Sequence, residues 1–444
     1  MRSAISLCVT LFLTSAAFAE TLDPARSYTF ADLYAIGGAG NTSVASAELD
    51  VNSLRGDRLQ ALGTFLPTVD LSANTSRTRR ETFDYVASDG SIQTSPAGES
   101  FVTNSNSWSI SASQDLFKGF ETVSNYRLAL LAQADVRLAH ERAQLQLHRD
   151  LRRQVHQVIA RRELLGREEE LLRQNEEQHR LAQARFEVGA VTQLDVLQTE
   201  IDLGSQQLNV ENARQELRSA WDALAVLIGL EPGVQATLDV PFDVFQPTWQ
   251  AEDLVAMAEE TRYELVVQQH RVESARWSTT AARARFMPNL SLGLDYSRSI
   301  NREERKDLEL FPDNNTTWLG LNLRLPLFTG FTTTNTWQHR RADEQREQLN
   351  LEQARRQARS EIGDALARLG SSWEQSRVTE KNRELARRSF EMEEERYRLG
   401  LATLLNVQSA RATLRQAETG HIQQQLDFLD RLADLELSVG RTLR

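Results

Sequence analysis

Two polar residues stand at matched positions after a glycine: Asp195 follows Gly189 by six residues, and Asn406 follows Gly400 by six. A threonine precedes each by three, Thr192 and Thr403. Thr-x-x-Asp and Thr-x-x-Asn read as N-terminal capping patterns, in which a side-chain oxygen accepts from backbone N–H groups that the first helical turn leaves unpaired. Arg185, Arg396 and Arg398 come just before the same glycines, where a cation meets the negative end of a helix dipole. Tyr397 lies among them, and Ser409 follows Asn406 by three. This is the chemistry of caps, charge and hydrogen bonds. No nucleophile motif, phosphate loop or glycine-rich cofactor turn accompanies it. The seven histidines fall at no metal-ligand spacing and read as surface or seam residues. The expectation is a protein without catalysis, metal or cofactor.

Helices must flank each glycine to place these groups. About 68 residues from Glu121 to Val188 contain no proline, enough for a rod of roughly 100 Å, and Thr332 to Leu399 repeats that length. Leu151, Val158, Leu165, Leu172, His179 and Phe186 recur every seven residues, a coiled-coil seam. Each rod stops at a glycine able to take the left-handed conformation and reverses into a helix of about 40 residues, ending at Gly229 or Gly440. Val188, Ala190, Leu399 and Leu401 flank Gly189 and Gly400 as small or apolar residues at a tip, the composition of a docking surface. Gly400 lies 211 residues beyond Gly189, as Phe331 lies beyond Phe120 and Gly440 beyond Gly229. The chain is an internal duplication.

Ahead of each rod the period drops from 3.6 to 2. Val69, Leu71 and Ala73 alternate with Asp70, Ser72 and Asn74, and the pattern predicts strands at about 67–77, 108–117, 288–297 and 318–328. Thr78 to Asn106 reads as a polar connection and Arg298 to Thr317 as a charged one. A helix from Phe30 to Phe65 is expected to split at Gly37–Asn41, whereas Glu252 to Phe286 reads as unbroken. Leu230 to Gln250, rich in proline, reads as a linker with one short strand. The organisation is then a signal over 1–19, a first repeat over 20–229 with its hairpin at 121–229, a linker over 230–250, and a second repeat over 251–444 with its hairpin at 332–440.

The signal rests on Arg2, the apolar run Ala4 to Thr14 and Ala17-Phe18-Ala19 as a cleavage site. Cys8, the one cysteine, follows Leu7 instead of a small residue, which argues against a lipid anchor. With 51 basic and 62 acidic residues spread along the helices, no nucleic-acid surface is expected. Beyond the signal no stretch approaches the ~18 apolar residues of a spanning helix, so membrane contact must come from strands. Four strands leave open edges, which hydrocarbon does not tolerate, so several chains must pool them. Two chains would supply eight strands and three would supply twelve.

Leu66-Pro67-x-Val69-x-Leu71, Met287-Pro288-x-Leu290-x-Leu292, the paired Leu-Phe-x-Gly-Phe segments at 116–120 and 327–331, and the two tip glycines occur in duplicated order. In this the chain resembles the TolC family of outer-membrane channel proteins along nearly all of its length. The resemblance implies a mainly helical homotrimer whose α-helical barrel continues into a 12-stranded transmembrane β-barrel. It implies a passive exit duct of a tripartite efflux pump or type I secretion system, located in the outer membrane and reaching into the periplasm. The partners implied are a periplasmic adaptor, an inner-membrane transporter and outer-membrane lipid. Residues around Asp195, Asn406, Ser409, Arg396 and Tyr397 would then line a periplasmic constriction, and Val188, Gly189, Ala190, Leu399, Gly400 and Leu401 would be adaptor-docking tips. Cap and constriction both stand as readings of Asp195, while the cap leads for Asn406. The alternative from another class is a structural coiled-coil scaffold of the periplasm, which has no use for apolar strand rows.

Overall fold

The computed structural model describes residues 22–24, 26–80, 84–94, 101–233, 235–303 and 314–443; the signal-like segment and Cys8 lie outside them. In chain order the elements are β1 (Ser27–Tyr28), α1 (Phe30–Gly40), α2 (Thr42–Gly63), β2 (Thr68–Arg80), β3 (Asp84–Val86), β4 (Ile92–Thr94), β5 (Phe101–Lys118), α3 (Glu121–Glu187) and α4 (Gln193–Leu227). There follow β6 (Thr237–Leu238), α5 (Ala251–Thr261), α6 (Tyr263–Ala284), β7 (Asn289–Glu303), β8 (Asn314–Arg324), α7 (Thr332–Arg398) and α8 (Leu404–Val439). Counterparts match in length: α1 and α5 have 11 residues, α2 and α6 have 22, and α3 and α7 have 67. No helix among the described residues is long and apolar enough to cross a membrane.

The chain divides into two compact units, each drawing on both halves of the sequence. One comprises the chain up to Val51 with Val136–Val267 and Gln353–Arg444. Its core has two main centres. Leu151, Val155 and Val158 of α3 pack with Leu33, Trp221, Leu224 and Ile228, while Ile362 and Leu369 of α7 pack with Leu254, Phe428, Leu432 and Leu435. The segment expected as a linker takes part in both, since Phe242 packs against each centre. Phe245 meets Phe428 edge to face at 5.4 Å, and β6 pairs in parallel with β1. These half-buried rings and the buried Leu238 make the segment part of the core.

The helix split near Gly37 falls at Asn41, whose amide donates to the Leu227 carbonyl at 2.9 Å. Here the backbones come so close that a Cβ on Gly229 would sit 2.3 Å from the Gly40 carbonyl oxygen. Glu252 to Phe286, expected as one helix, is broken at Arg262, which adopts φ −71°, ψ 117°. The cause is the same approach in the second repeat: a Cβ on Gly440 would meet the Thr261 carbonyl oxygen at 2.6 Å, and Thr261 Oγ1 donates to the Val439 carbonyl. No glycine or proline marks the break locally. It is imposed by packing.

The other unit comprises Asn52–Asp135 and Gln268–Glu352 and contains an antiparallel sheet in the order β2-β5-β7-β8. Register places Val69 beside Ala112, Leu71 beside Ile110, and Leu290, Leu292 and Leu294 beside Leu323, Leu321 and Leu319. Alternation puts these on one face and Asp70, Ser111, Asp295 and Trp318, which register aligns in one row, on the other. Three strands run longer than the apolar alternation predicts, because backbone pairing continues where both faces are polar; Thr75 Oγ1, for example, donates to Asn106 Oδ1 at 2.6 Å. The connection expected as loop over Thr78 to Asn106 therefore contains strand and the small β3–β4 pairing, and β7 reaches Glu303 in the connection expected to be charged loop. The strand expected to reach Phe328 instead ends at Arg324, just before Leu325-Pro326, where proline supplies no N–H to a ladder.

Candidate functional site

Both helical turns are built alike. At the end of α3 the Ala190 N–H donates to the Arg185 carbonyl at 2.8 Å across Gly189, which holds φ 76°. At the end of α7 the Leu401 N–H donates to the Arg396 carbonyl at 2.8 Å across Gly400, at φ 74°. This six-to-one bond closes a helix over a left-handed residue, a conformation that costs glycine nothing. Arg185, Arg396 and Arg398 occupy the last helical turns, as the dipole argument requires.

The returning helices begin with caps. Asp195 N–H donates to Thr192 Oγ1 at 3.3 Å, and Thr192 N–H donates back to Asp195 Oδ2 at 2.8 Å, a reciprocal capping box. The Thr192 hydroxyl, then its backbone N–H, holds the Asp195 carboxyl below the usual carboxylate range, so the group carries its charge at neutral pH. In the second turn Thr403 Oγ1 donates to Asn406 Oδ1 at 2.5 Å and accepts from the Asn406 N–H at 3.4 Å. Ser409 is exposed on the first turns of α8, and its carbonyl accepts from Thr413 Oγ1. Asp195 and Asn406 each close on the threonine of their own turn. Arg185 and Tyr397, from different turns, do meet: the guanidinium carbon lies 5.3 Å from the ring centre. Arg396 bonds Glu393 on its own helix at 2.7 Å. Val188 (77% exposed), Leu399 (65%), Leu401, Gly189, Gly400 and Ala190 form exposed tips.

Behind the turns lies a polar layer that the spacing of residues did not reveal. Arg411 of α8 donates to Asn175 Oδ1 at 2.6 Å and Gln178 Oε1 at 2.7 Å, both on α3, with its guanidinium over the Phe390 ring. Gln408 of α8 reaches Asp202 of α4 at 2.6 Å. His179 Nδ1 lies 3.0 Å from Thr199 Oγ1, and Gln206 donates to Glu168 Oε2 at 2.7 Å. The seven-residue seam is buried at Leu151 and Val158, half-buried from Leu165 to His179, and exposed at Phe186. A straight helix drifts ~20° per heptad against a 3.5-residue repeat, and the buried position passes to Asn175. Of the histidines, His156 and His421 are buried in the packing between helices.

Duplicated helical hairpins with capped turns, together with an antiparallel sheet to which both halves contribute two long strands, define the class of outer-membrane channel proteins of the TolC type. The family model described as "Outer membrane efflux protein" matches residues 38–230 and 254–441, and the chain belongs to that family. Family membership places it among outer-membrane proteins. It is 28% identical over 269 residues to the pyoverdine export outer membrane protein OpmQ of Pseudomonas aeruginosa, a match covering 59% of this chain and 53% of the relative. It is 23% identical over 257 residues to the outer membrane protein TolC of Vibrio cholerae, covering 58% and 59%. The chain thus spans between half and two thirds of the curated relatives it matches. The fold matches the crystal structure of CusC at TM-score 0.77 with 17% identity, covering 97% of this chain and 96% of that one. It matches the open state of the Neisseria gonorrhoeae MtrE channel at 0.74 with 20% identity, covering 94% and 89%.

Proposed function

We propose that this chain is a passive outer-membrane exit duct, assembled from three copies, that serves a tripartite efflux pump or a type I secretion system. The observation carrying this reading is the four-stranded sheet with one exposed apolar face and, among the described residues, no strand beyond β2 or β8. Such a sheet in lipid requires neighbours at both edges, and three copies would close twelve strands. A periplasmic scaffold would not need that face.

On this reading residues 1–19 are removed on export without a lipid anchor, and the repeats 20–229 and 251–444 flank the segment 230–250. The tips around Val188–Ala190 and Leu399–Leu401 dock a periplasmic adaptor, which connects the duct to an inner-membrane transporter. Asp195, Asn406, Ser409, Arg396 and Tyr397 lie at the narrowing behind those tips. Work comes from the transporter, and the duct carries out no chemical step. Names among the relatives supply the two cargo classes, since OpmQ is a pyoverdine export protein and AprF of Pseudomonas aeruginosa an alkaline protease secretion protein.

The test is reconstitution in planar bilayers combined with crosslinking from cysteines placed at Val188 and Leu401. Discrete conductance steps and capture of an adaptor at the tips are expected. A protein that inserts yet never conducts, or tips that capture no adaptor in its native cell envelope, would overturn the reading.

A further inference from the structure

The apolar face of the sheet ends in arginine. Register sets Ala73, Trp108 and Arg298 in one row across β2, β5 and β7, two residues beyond the row of Leu71, Ile110 and Tyr296. Arg77 follows Ala73 by four residues, so it stands on the same face roughly 13 Å further along β2. Both arginines lie toward the end of the strands remote from the helices, since β2 leaves α2 and β5 leads back to α3. On the opposite face the same stretch carries only serine and asparagine, from Ser72 to Ser76, Ser105 to Ser109 and Ser297 to Ser299. A rim that merely meets water has no reason to keep its cations to one face.

The arginines also follow an apolar span of membrane dimension. The bulge between Asp115 and Phe117 keeps Phe117 on the apolar face beside Leu290, where it meets Phe120 edge to face at 5.8 Å. Trp108 lies nine residues away along β5, with its ring 5.6 Å from that of Tyr296. That is roughly 30 Å along the strand, or about 23 Å of height at a tilt near 40°, close to the ~25 Å band that aromatic residues flank in a membrane barrel. Arg298 Nε donates to the Tyr296 hydroxyl at 2.9 Å, which leaves the terminal guanidinium N–H groups and the phenolic proton to donate elsewhere. Trp108 Nε1 has no acceptor among the described residues, and neither arginine pairs with a carboxylate among them. Donors and cations gather here without a matching acceptor.

We propose that Arg298 and Arg77 hold the phosphate of anionic lipid headgroups in the leaflet remote from the helices, the outer leaflet on the duct reading above. The inference rests on that reading, which puts the apolar face in lipid, and names the lipid class that this face selects. An arginine lays its stem along apolar surface and keeps its guanidinium at headgroup level, where the planar fork takes two phosphate oxygens at once. Phosphate supplies both the acceptors and the negative charge that match the patch.

The experiment places full-length protein in nanodiscs of equal parts zwitterionic phosphatidylcholine and anionic phosphatidylglycerol, and native mass measurement counts the lipids each assembly retains. The parent should retain phosphatidylglycerol over phosphatidylcholine by at least threefold. Arg77→Gln/Arg298→Gln should bring the ratio to near one, Arg298→Gln alone should lower it part way, and Arg77→Lys/Arg298→Lys should keep most of it. Arg324→Gln removes a cation from the opposite face and should leave the ratio unchanged. A parent ratio near one, or glutamine variants that assemble like the parent and keep its ratio, overturn the inference and leave the duct standing. A preference abolished by inorganic phosphate alone marks a site for free anions and overturns it as well. A parent protein that never enters nanodiscs overturns the duct reading with it.

Discussion

Glu436 of α8 accepts from the guanidinium of Arg152 on α3 at 2.7 Å, with both side chains withdrawn from solvent. Its second oxygen accepts from the Leu443 N–H at 2.9 Å, so one carboxylate joins two helices and fixes the chain after α8. By the 211-residue offset, the counterparts of Arg152 and Glu436 are Gly363 and Ala225, so the duplication did not keep this pair in both repeats.

Arg152→Met should therefore leave a buried carboxylate without its cation. Loss of one partner of a buried pair costs about 3–5 kcal/mol, whereas replacing both by apolar groups is often neutral. Thermal unfolding followed by helical circular dichroism should shift down strongly for Arg152→Met and recover largely in Arg152→Met/Glu436→Met. Equal melting of the single and double variants would contradict the account.

His156 is buried beside the Phe242 ring at 6.0 Å, and burial, followed by the nearby Arg152 cation, pushes its pKa down to about 4. His148, held edge-on by Phe30 and Tyr34, is likewise pushed down to about 4 by burial and by Arg152. The folded state thus binds fewer protons than the unfolded one below the ordinary value of 6.5. The contribution of these two imidazoles to stability is complete above about pH 6.5 and is lost as the pH drops toward about 4. For His156 the full loss is on the order of 3 kcal/mol. His156→Leu should flatten that fall, measured as melting temperature against pH; an unchanged slope would show that His156 is not its source.

Local chemistry makes the turns legible in the sequence: a glycine, a threonine and a third-position acid or amide spell out a helix reversal and its cap. The same holds for the alternating strands and their apolar face. Arg262 was illegible because its helix break is caused by Gly440, which lies far away in sequence. Asn175 and Arg411 were illegible for a related reason, since a buried polar residue looks like a surface one until its partner is placed. The heptad seam is buried at Leu151 and Val158 and fades toward Phe186, where rotational drift outruns the spacing.

Asp195 is the third-position partner in the capping box of Thr192, and constriction is the role proposed for it in the assembly. Replacement by Ala removes the reciprocal half of the capping box and the charge together. Asp195→Asn keeps capping capacity and removes only charge. In planar bilayers Asp195→Asn should lower cation preference while retaining thermal stability, and Asp195→Ala should lower both. If Asp195→Asn conducts like the parent protein, the residue serves the capping box alone.

Leu321 and Asn322 are adjacent on β8 and point to opposite faces of the sheet. Arginine on the lipid face near the bilayer centre costs roughly 2–4 kcal/mol, so Leu321→Arg should impair membrane insertion while Asn322→Arg is tolerated. Outer-membrane fractionation of the two variants measures this directly. Equal recovery of both would contradict the assignment of faces.

The central claim is that four strands per chain are pooled into one closed barrel. A single-particle reconstruction of the purified protein in lipid nanodiscs tests it most directly. The account predicts three copies around one axis, twelve strands in a closed barrel within the lipid, and β8 of each copy hydrogen-bonded to β2 of the next. A monomer or dimer, or a sheet whose β2 and β8 edges stay unpaired inside the bilayer, would contradict it.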